Sequence, residues 1–382
     1  MVFCSFPAFI TLRSNMLFQV SLGSKELFHS NFLAWLFDSY KSLAHELFLP
    51  FMDGSFEFLS EGSFVDREKG NTDLRLNYVN NRHVVIENKV KSMPYKEQLE
   101  KYAKNTGKDH CYILLSLIKP EFIDASQSYQ GENGTWQYLS YGELASRLQS
   151  LSGKYKTTIE KKDLHYLEDY IEFIAALDAF AKCLKINFKE DPFDFYGGTI
   201  YLEESYNEPY LRTQDLRMHD LFLKTKYLQI RDYLETKCKE IFPNAFNTNM
   251  QAHTGFSNGS ANLTVFYQVA KGIQVGMQLQ SNHFRMYAQV SGNSKKALAF
   301  TTQLNEQNLW FDFTGGATHH NPASIKGKGR IIPGFNSYSG VFIYKYVKLE
   351  GYTVAQLMDE FTGNLQLILK RLPKIEKVVY AL

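Results

Sequence analysis

The residues best suited to chemistry lie in one short segment, NTDLRLNYVNNRHVVIENKVKSMPYKEQLEKY, at positions 71–102. It reads as two β-branched, apolar strands followed by a helix, with Asp73 on the first strand and Glu87 and Lys89 on the second. Carboxylates are hard oxygen ligands of the kind that Mg²⁺ and Mn²⁺ prefer, and a lysine can orient or polarise an attacking water. The segment is therefore a candidate site for cleaving phosphodiester bonds.

Glu87 and Lys89 share one face of their strand, because successive side chains of a strand alternate and Val85 lies on the same side. Two charges on a largely apolar strand are costly unless they have partners, and a divalent cation beside a phosphate would satisfy both. An edge-strand ion pair without chemistry is the alternative. The two other Glu-x-Lys triplets, which begin at Glu160 and Glu235, lie in charge-rich helical stretches and indicate solvated faces.

The loop between the two strands decides whether Asp73 reaches the face of Glu87, since directly opposed residues of an antiparallel pair share a face. A two-residue turn at Asn80-Asn81 would send Asp73 to the other side. A three-residue loop at 79–81 pairs Asp73 with Glu87, and one at 80–82 pairs it with Lys89. A functional site therefore requires an odd loop, with an asparagine in the left-handed conformation, or a bulge.

This arrangement resembles the PD-(D/E)XK nuclease superfamily, and particularly its bacterial branch with a glutamate on the N-terminal helix. Besides the strand of Asp73, the resemblance rests on segments that span most of residues 20–180: SKELFHSNFLAWLFD, IENK, QLEKY, CYILLSL and WQYLSYGELASRL. One departure is that Asn71-Thr72, and no proline, precedes Asp73. The resemblance implies an α/β fold, with a restriction-endonuclease-like core whose mixed central sheet is flanked by helices.

The resemblance also implies a role for each site residue. Asp73 and Glu87, with the main-chain carbonyl of Asn88, would hold Mg²⁺ or Mn²⁺. Lys89 would assist the attacking water. Glu26 would accept a hydrogen bond from a metal-bound water or help to hold a second ion, although a first-turn acid is also favoured by the helix dipole alone.

Substrate contacts are predicted just beyond these residues. Gln98 and Tyr102 are four positions apart and share a face of the following helix, though Tyr102 could equally belong to the core. Lys91 belongs to a run of lysines that either contacts phosphates or forms a solvated helix face, namely Lys89, Lys91, Lys96, Lys101, Lys104 and Lys108.

Length and composition predict two domains, because the chain has 382 residues and 44% hydrophobic content. The nuclease-like domain is expected over 1–185, followed by a linker over 186–213 that is rich in glycine, proline and acids. Residues 214–382 alternate helical and strand-like runs, which predicts an α+β domain with an antiparallel sheet and a role in recognising substrate or partner. The net charge is only +2, so any groove for nucleic acid must be built from local clusters.

Other functional classes are disfavoured. The four cysteines are scattered without metal-binding spacing, which argues against disulfides and structural zinc and suits a reducing cytoplasm. The N-terminus lacks a basic start and a cleavage site and is too short to span a bilayer; Met16 is an alternative start. The motifs of serine hydrolases, dinucleotide-binding proteins and zincins are missing.

The glycine-rich segment 315–335 is predicted to be a flexible surface loop. Phosphate contact is the alternative, through His319, His320, Lys326, Lys328 and Arg330.

The sequence thus predicts a metal-dependent nuclease that hydrolyses phosphodiester bonds, with DNA as the expected substrate. The resemblance implies a biological role in restriction, repair or antiphage defence. The main alternative is a catalytically inactive protein with the nuclease fold that binds nucleic acid or a protein partner. A weaker alternative is a structural module whose C-terminal domain drives assembly, as in a homo-oligomer. The presence of Asp73, Glu87 and Lys89 argues against the inactive protein, because a site that has lost its activity does not require these charged residues.

Overall fold

The structure is a computed structural model of the chain. It describes residues 6–54, 56–108, 110–120, 122–182, 184, 189, 215–246, 248–257, 260–280, 282–313, 334–349 and 352–381. They form two compact units, the first within Val2–Leu184 and Arg212–Leu221 and the second within Phe222–Leu382. The predicted linker and the predicted loop at 315–335 lie almost entirely outside the described residues. The domain boundaries stay a prediction.

The described part of the first unit has four α-helices first, then six strands interrupted by one α-helix, and then two further α-helices. Its helices are α1 (Phe6–Ser14), α2 (Met16–Ser21), α3 (Lys25–Ser39), α4 (Lys41–Phe48), α5 (Lys96–Thr106), α6 (Tyr141–Lys154) and α7 (Lys161–Lys182). Its strands are β1 (Val65–Arg67), β2 (Leu74–Asn77), β3 (His83–Lys89), β4 (Cys111–Ser116), β5 (Ser128–Gln130) and β6 (Thr135–Ser140).

The strands of the first unit form one mixed sheet in the order β1-β2-β3-β4-β6-β5. The central pairs β3–β4 and β4–β6 are parallel, and the outer pairs are antiparallel. A parallel pair needs a long crossover, and α5 supplies the one between β3 and β4. The predicted mixed sheet flanked by helices is confirmed.

The hairpin that joins β2 to β3 has the predicted odd loop. Leu74 pairs with Ile86, and residues 79–81 form the turn. Both asparagines of that turn have positive φ, 58° and 56°, a conformation that asparagine tolerates better than most residues. Continuing this register places Asp73 opposite Glu87, as the three-residue loop predicts.

Helices cover both faces of this sheet. On the α5 side, side chains from the helix and the central strands form a buried cluster of Val85, Leu99, Tyr102, Ala103, Tyr112, Leu114, Ile123, Trp136 and Tyr138. On the other side, His29 of α3 hydrogen-bonds the hydroxyl of Tyr170 on α7 at 2.9 Å between Nδ1 and the phenol oxygen. Tyr141, which begins α6, hydrogen-bonds Asn88 on β3. Strand β3 is therefore buried from both sides.

The second unit is the predicted α+β arrangement with an antiparallel sheet. Its strands are β7 (Met250–Ser257), β8 (Ser260–Ala270), β9 (Ile273–Gln280), β10 (His283–Val290), β11 (Asn336–Tyr338) and β12 (Phe342–Lys348). Its helices are most of α8 (His219–Ile241), α9 (Ser294–Glu306) and α10 (Val354–Tyr380). The strand order is β11-β12-β10-β9-β8-β7, and every pair is antiparallel. Strand β7 was not predicted from the sequence.

Among the helices that the structure describes, none combines the length and the apolar character needed to cross a membrane.

Candidate active site

Glu87 is the centre of a cluster of polar side chains at the end of β3. Its side chain is buried, and its Oε1 accepts from Lys89 Nζ at 2.6 Å and from Gln98 Nε2 at 3.0 Å. Its other oxygen, Oε2, is also buried and receives no hydrogen bond from the described residues. Two nitrogen donors thus hold one oxygen of the carboxylate in place, and the neighbouring carboxyl group of Asp73 is the remaining contact of Glu87.

Asp73 lies beside Glu87. Its carboxyl group is in hydrogen-bonding contact with the carboxyl group of Glu87. Its Oδ2 accepts from the main-chain N–H of Asn88 at 2.7 Å. The structure therefore brings together the two carboxylates and the lysine that the sequence singled out.

The electrostatics of the cluster favour one shared proton when no cation is present. Burial and the nearby charge of Asp73 raise the pKa of Glu87 to about 8, although Lys89 opposes them. Burial also raises the pKa of Asp73, against the opposing effect of the Asn88 N–H and Lys89. Burial alone would lower the pKa of Lys89, but the charge and hydrogen bond of Glu87 raise it above its ordinary value. Two adjacent acids repel each other when both are ionised, and either a shared proton or a bound cation relieves that repulsion.

Glu26, in the first turn of α3, holds the turn that follows β3. Its Oε1 accepts from the main-chain N–H groups of Val90, Lys91 and Ser92 at 3.3, 3.1 and 2.8 Å, and also from the Ser92 hydroxyl. Burial by itself would raise the pKa of Glu26, but the bonds from Ser92 and the charge of Lys89 lower it overall. The glutamate is therefore ionised and adjacent to the cluster, and its predicted part in holding ions stays a prediction.

Asn88 ties the site to the helices on the opposite face of the sheet. Its Nδ2 donates to the main-chain carbonyl of Glu26 at 3.1 Å and to Ser30 Oγ at 3.2 Å, and its Oδ1 accepts from the Tyr141 hydroxyl. Sequence reasoning assigned only its carbonyl, as a metal ligand, and missed this side chain. The signal was present, because an amide that alternates onto an otherwise apolar strand face must find partners.

The donor set fits a magnesium-like cation. In the described part of the chain, no three side chains of His, Cys, Asp or Glu are arranged to hold a metal ion. Mg²⁺ is commonly held by one or two carboxylates, with waters and phosphate oxygens completing the octahedron. Asp73 and Glu87 supply two carboxylates that are already in contact with each other, as ligands of one shared ion must be.

Comparison with protein families assigns this part of the chain. The family model of the PD-(D/E)XK nuclease superfamily matches residues 14–172, which include both carboxylates, the lysine, α3 and β4. Residues 14–172 belong to the PD-(D/E)XK nuclease superfamily. No curated protein and no solved structure matched the chain.

The other side chains predicted to contact substrate follow Glu87 and Lys89 along the chain. Gln98 Nε2 donates both to Glu87 and, at 2.7 Å, to the hydroxyl of Tyr102, whose ring is part of the buried cluster on the α5 side. Lys91 is half-buried with its Nζ 4.0 Å from Asp220 Oδ2. Four lysines in and near α5 are exposed, namely Lys96, Lys101, Lys104 and Lys108. The substrate contacts predicted for these side chains stay predictions.

Proposed function

We propose that the protein is a metal-dependent nuclease that hydrolyses phosphodiester bonds, with Mg²⁺ or Mn²⁺ as its ion and DNA as its substrate. The observation that carries the proposal is the contact between the carboxyl groups of Asp73 and Glu87, with Lys89 beside them, in residues that match the PD-(D/E)XK family model. Lys89 and Gln98 hold Glu87 Oε1 in place. A simple ion pair needs one acid and one lysine, whereas a second adjacent acid adds a repulsion that a cation would relieve.

Asp73 and Glu87 would hold the ion, and the main-chain carbonyl of Asn88 is the third predicted ligand. A bound divalent cation supplies Lewis acidity toward the phosphate and lowers the pKa of a water. The chain's own part is to fix both carboxylates before the ion arrives. The Asn88 N–H holds Asp73, and Gln98 holds Glu87.

Lys89 would position the attacking water and stabilise the negative charge that develops on the phosphate oxygens. Its pKa is raised by Glu87, so its ammonium is charged at neutral pH and acts as a donor rather than as a base. A bound ion would weaken the ion pair between Glu87 and Lys89, because the carboxylate of Glu87 would then interact with the cation as well as with the ammonium group.

The decisive test is cleavage of plasmid, linear duplex and single-stranded DNA, with matching RNA, in Mg²⁺, Mn²⁺ or chelator. Wild-type protein should cut at least one DNA substrate in Mg²⁺ or Mn²⁺ and none with chelator. Asp73→Asn should remove the activity. Calcium should support binding without turnover, since it takes oxygen ligands in a looser geometry than octahedral magnesium.

Lys162→Ala is a matched control, because Lys162 also ends a Glu-x-Lys triplet in the same unit but lies on helix α7. It should leave cleavage unchanged. If wild-type protein cuts nothing with either metal, and calorimetry detects no ion binding that Asp73→Asn removes, the silent nucleic-acid-binding protein becomes the better reading. Cleavage of RNA alone would correct the substrate and keep the mechanism.

A further inference from the structure

The two faces of the C-terminal sheet differ sharply in composition. One face is apolar and is covered by helices: the ring of Phe284 on β10 lies 5.3 Å from that of Phe361 on α10, and Lys345 Nζ on β12 donates to Asn305 Oδ1 of α9 at 3.0 Å. The alternation of strand residues sends their neighbours to the opposite face.

We call this opposite face the amide–aromatic face. The cross-strand register identifies its members on β7 to β12 as Gln251, His253, Gly255, Ser260, Asn262, Thr264, Phe266, Gln268, Gln274, Gly276, Gln278, Gln280, His283, Arg285, Tyr287, Gln289, Asn336, Tyr338, Phe342, Tyr344, Tyr346 and Lys348. None of these described residues is acidic, although acids and bases are nearly equal in number in the whole chain. A surface that excludes carboxylates suits a polyanionic partner.

Aromatic rings run along one side of the amide–aromatic face. Phe342, Tyr344 and Tyr346 follow one another at every second position of β12, with ring centroids 5.7 and 6.5 Å apart. His283 lies against Tyr346 with a centroid distance of 4.4 Å. At the edge strand, 70% of the Tyr338 side chain is exposed. Such a series offers successive flat surfaces on which bases can stack.

Hydrogen-bonding side chains lie beside the rings in a fixed arrangement. Gln278 Nε2 donates to Thr264 Oγ1 at 3.0 Å, and Arg285 Nη1 donates to Gln278 Oε1 at 2.6 Å. The guanidinium of Arg285 lies 4.9 Å from the ring centroid of Tyr344. Amide side chains can read the edges of exposed bases, and a guanidinium next to a ring can contact both a base and a phosphate.

We propose that the amide–aromatic face binds single-stranded nucleic acid. A duplex keeps its bases stacked within the helix, so the rings of this face would have nothing to stack on, whereas an unpaired strand presents its bases. Arg285 and Lys348 are the fixed cations of the face, and the pKa of His283 is lowered by burial and by both of them. Binding should therefore depend on stacking more than on charge, with a salt slope of about −1.4 on logarithmic axes for two phosphate contacts.

The test measures binding of labelled single-stranded DNA, single-stranded RNA and duplex DNA to the full chain by fluorescence anisotropy, in chelator. Because no ion is present, the result is independent of whether the Asp73–Glu87 site cleaves anything. Wild-type protein should bind single strands more tightly than duplex. The DNA and RNA arms distinguish the two sources of unpaired bases.

Variants of the rings test the location. Tyr338→Ala and Tyr346→Ala should each weaken single-strand binding about tenfold, and Tyr346→Phe should retain it because the ring remains. Tyr380→Ala is the matched control, since Tyr380 is 89% exposed on α10 of the same unit. Melting curves must show that each variant is folded.

Crosslinking of an oligonucleotide that carries a photoreactive base gives a second readout that does not depend on substitutions. Crosslinked peptides should include β10 or β12. The proposal is overturned if single strands bind no better than duplex, if the ring variants bind like Tyr380→Ala, or if all crosslinks fall within residues 14–172. Binding of a protein instead of nucleic acid through the same rings would also overturn it.

Discussion

At the end of strand β3 the N-terminal sheet places two acids and a lysine close together, whereas the amide–aromatic face of the C-terminal sheet carries amides, rings and two fixed cations but no carboxylate. The charged groups of the N-terminal sheet are close together, as the hydrolysis of a phosphodiester bond requires. The amides and rings of the C-terminal sheet are spread over several strands, as the binding of an extended single strand requires. Under the two proposals, the N-terminal sheet would cleave the nucleic acid and the C-terminal sheet would bind it.

The largest expected effect comes from Lys89→Ala. It should lower the cleavage rate about 10²–10⁴-fold, because the group that orients water and stabilises charge is lost. Binding of single strands should stay within about twofold, since one lysine contributes little to phosphate affinity. Cleavage under single-turnover conditions and anisotropy measure the two quantities.

Tyr346→Ala should give the opposite pattern, with weaker binding and an unchanged single-turnover rate at saturating substrate. If both substitutions reduce the same quantity, the division between the two sheets is wrong.

A smaller effect is expected from Glu26→Ala, because the contacts observed for Glu26 are to the turn after β3. Loss of the charge-assisted bonds to residues 90–92 should cost about 1–3 kcal/mol of stability and reduce cleavage. Glu143→Ala is the matched control: Glu143 is also a first-turn acid, on α6, but it pairs on the surface with Arg147. If both substitutions lower the free energy of unfolding equally, the contribution of Glu26 is only that of a first-turn acid favoured by the helix dipole.

Metal binding should depend on pH in the range set by Glu87. Because its pKa is raised to about 8 in the folded protein, below that pH an ion must displace a proton. Ion affinity should therefore rise with pH up to about 8 and then level off. Calorimetry in buffers of different ionisation enthalpy would count the released proton, and an affinity that is flat from pH 6 to 8 would contradict the shared-proton state.

The metal-free protein should show the linked effect on stability. The folded-state pKa of Glu87 lies above its ordinary value of 4.5, so the unfolded chain gives up this proton at lower pH. The stabilising contribution of protonated Glu87 is therefore complete at low pH and is lost as the pH rises through about 4.5 to 8. Thermal melts in chelator should show this decline, and Glu87→Gln should flatten it.

The smallest effect is expected from Asp73→Asn on the metal-free protein. Asparagine keeps an oxygen that can accept from the Asn88 N–H and removes the repulsion between the two carboxyl groups. The melting temperature should rise by about 2–4 °C for each kcal/mol gained. A decrease would mean that the carboxyl pair stabilises the empty site.

Much of the N-terminal site could be predicted from the sequence, because strand alternation and loop length are local rules. They placed Glu87 and Lys89 on one face and set the odd loop that brings Asp73 opposite Glu87. The hydrogen bonds from the turn after β3 to Glu26 could not be predicted, because their donors are main-chain N–H groups, which nearly every residue type has.

The sequence predicted that the C-terminal domain contains an antiparallel sheet, but it did not predict all of the strands in that sheet. Strand β7 was missed because its sequence MQAHTGFS has only one β-branched residue and contains a glycine, although Met250, Ala252 and Phe256 alternate with polar residues or glycine. The last helix, α10, continues through Pro373 to Tyr380. Propensity favours a break at proline, and packing of residues such as Ile375 and Val378 overrides it.

The three N–H groups that converge on one oxygen of Glu26 have a consequence for how the site tolerates sequence change. Main-chain atoms are the same in every residue except proline, so the side chain at position 91 is not constrained by this contact. Position 26 is constrained, because aspartate is one methylene shorter and glutamine lacks the negative charge that strengthens these hydrogen bonds. A saturation library screened for folded protein should therefore accept many residues at 91, reject proline there, and keep glutamate at 26.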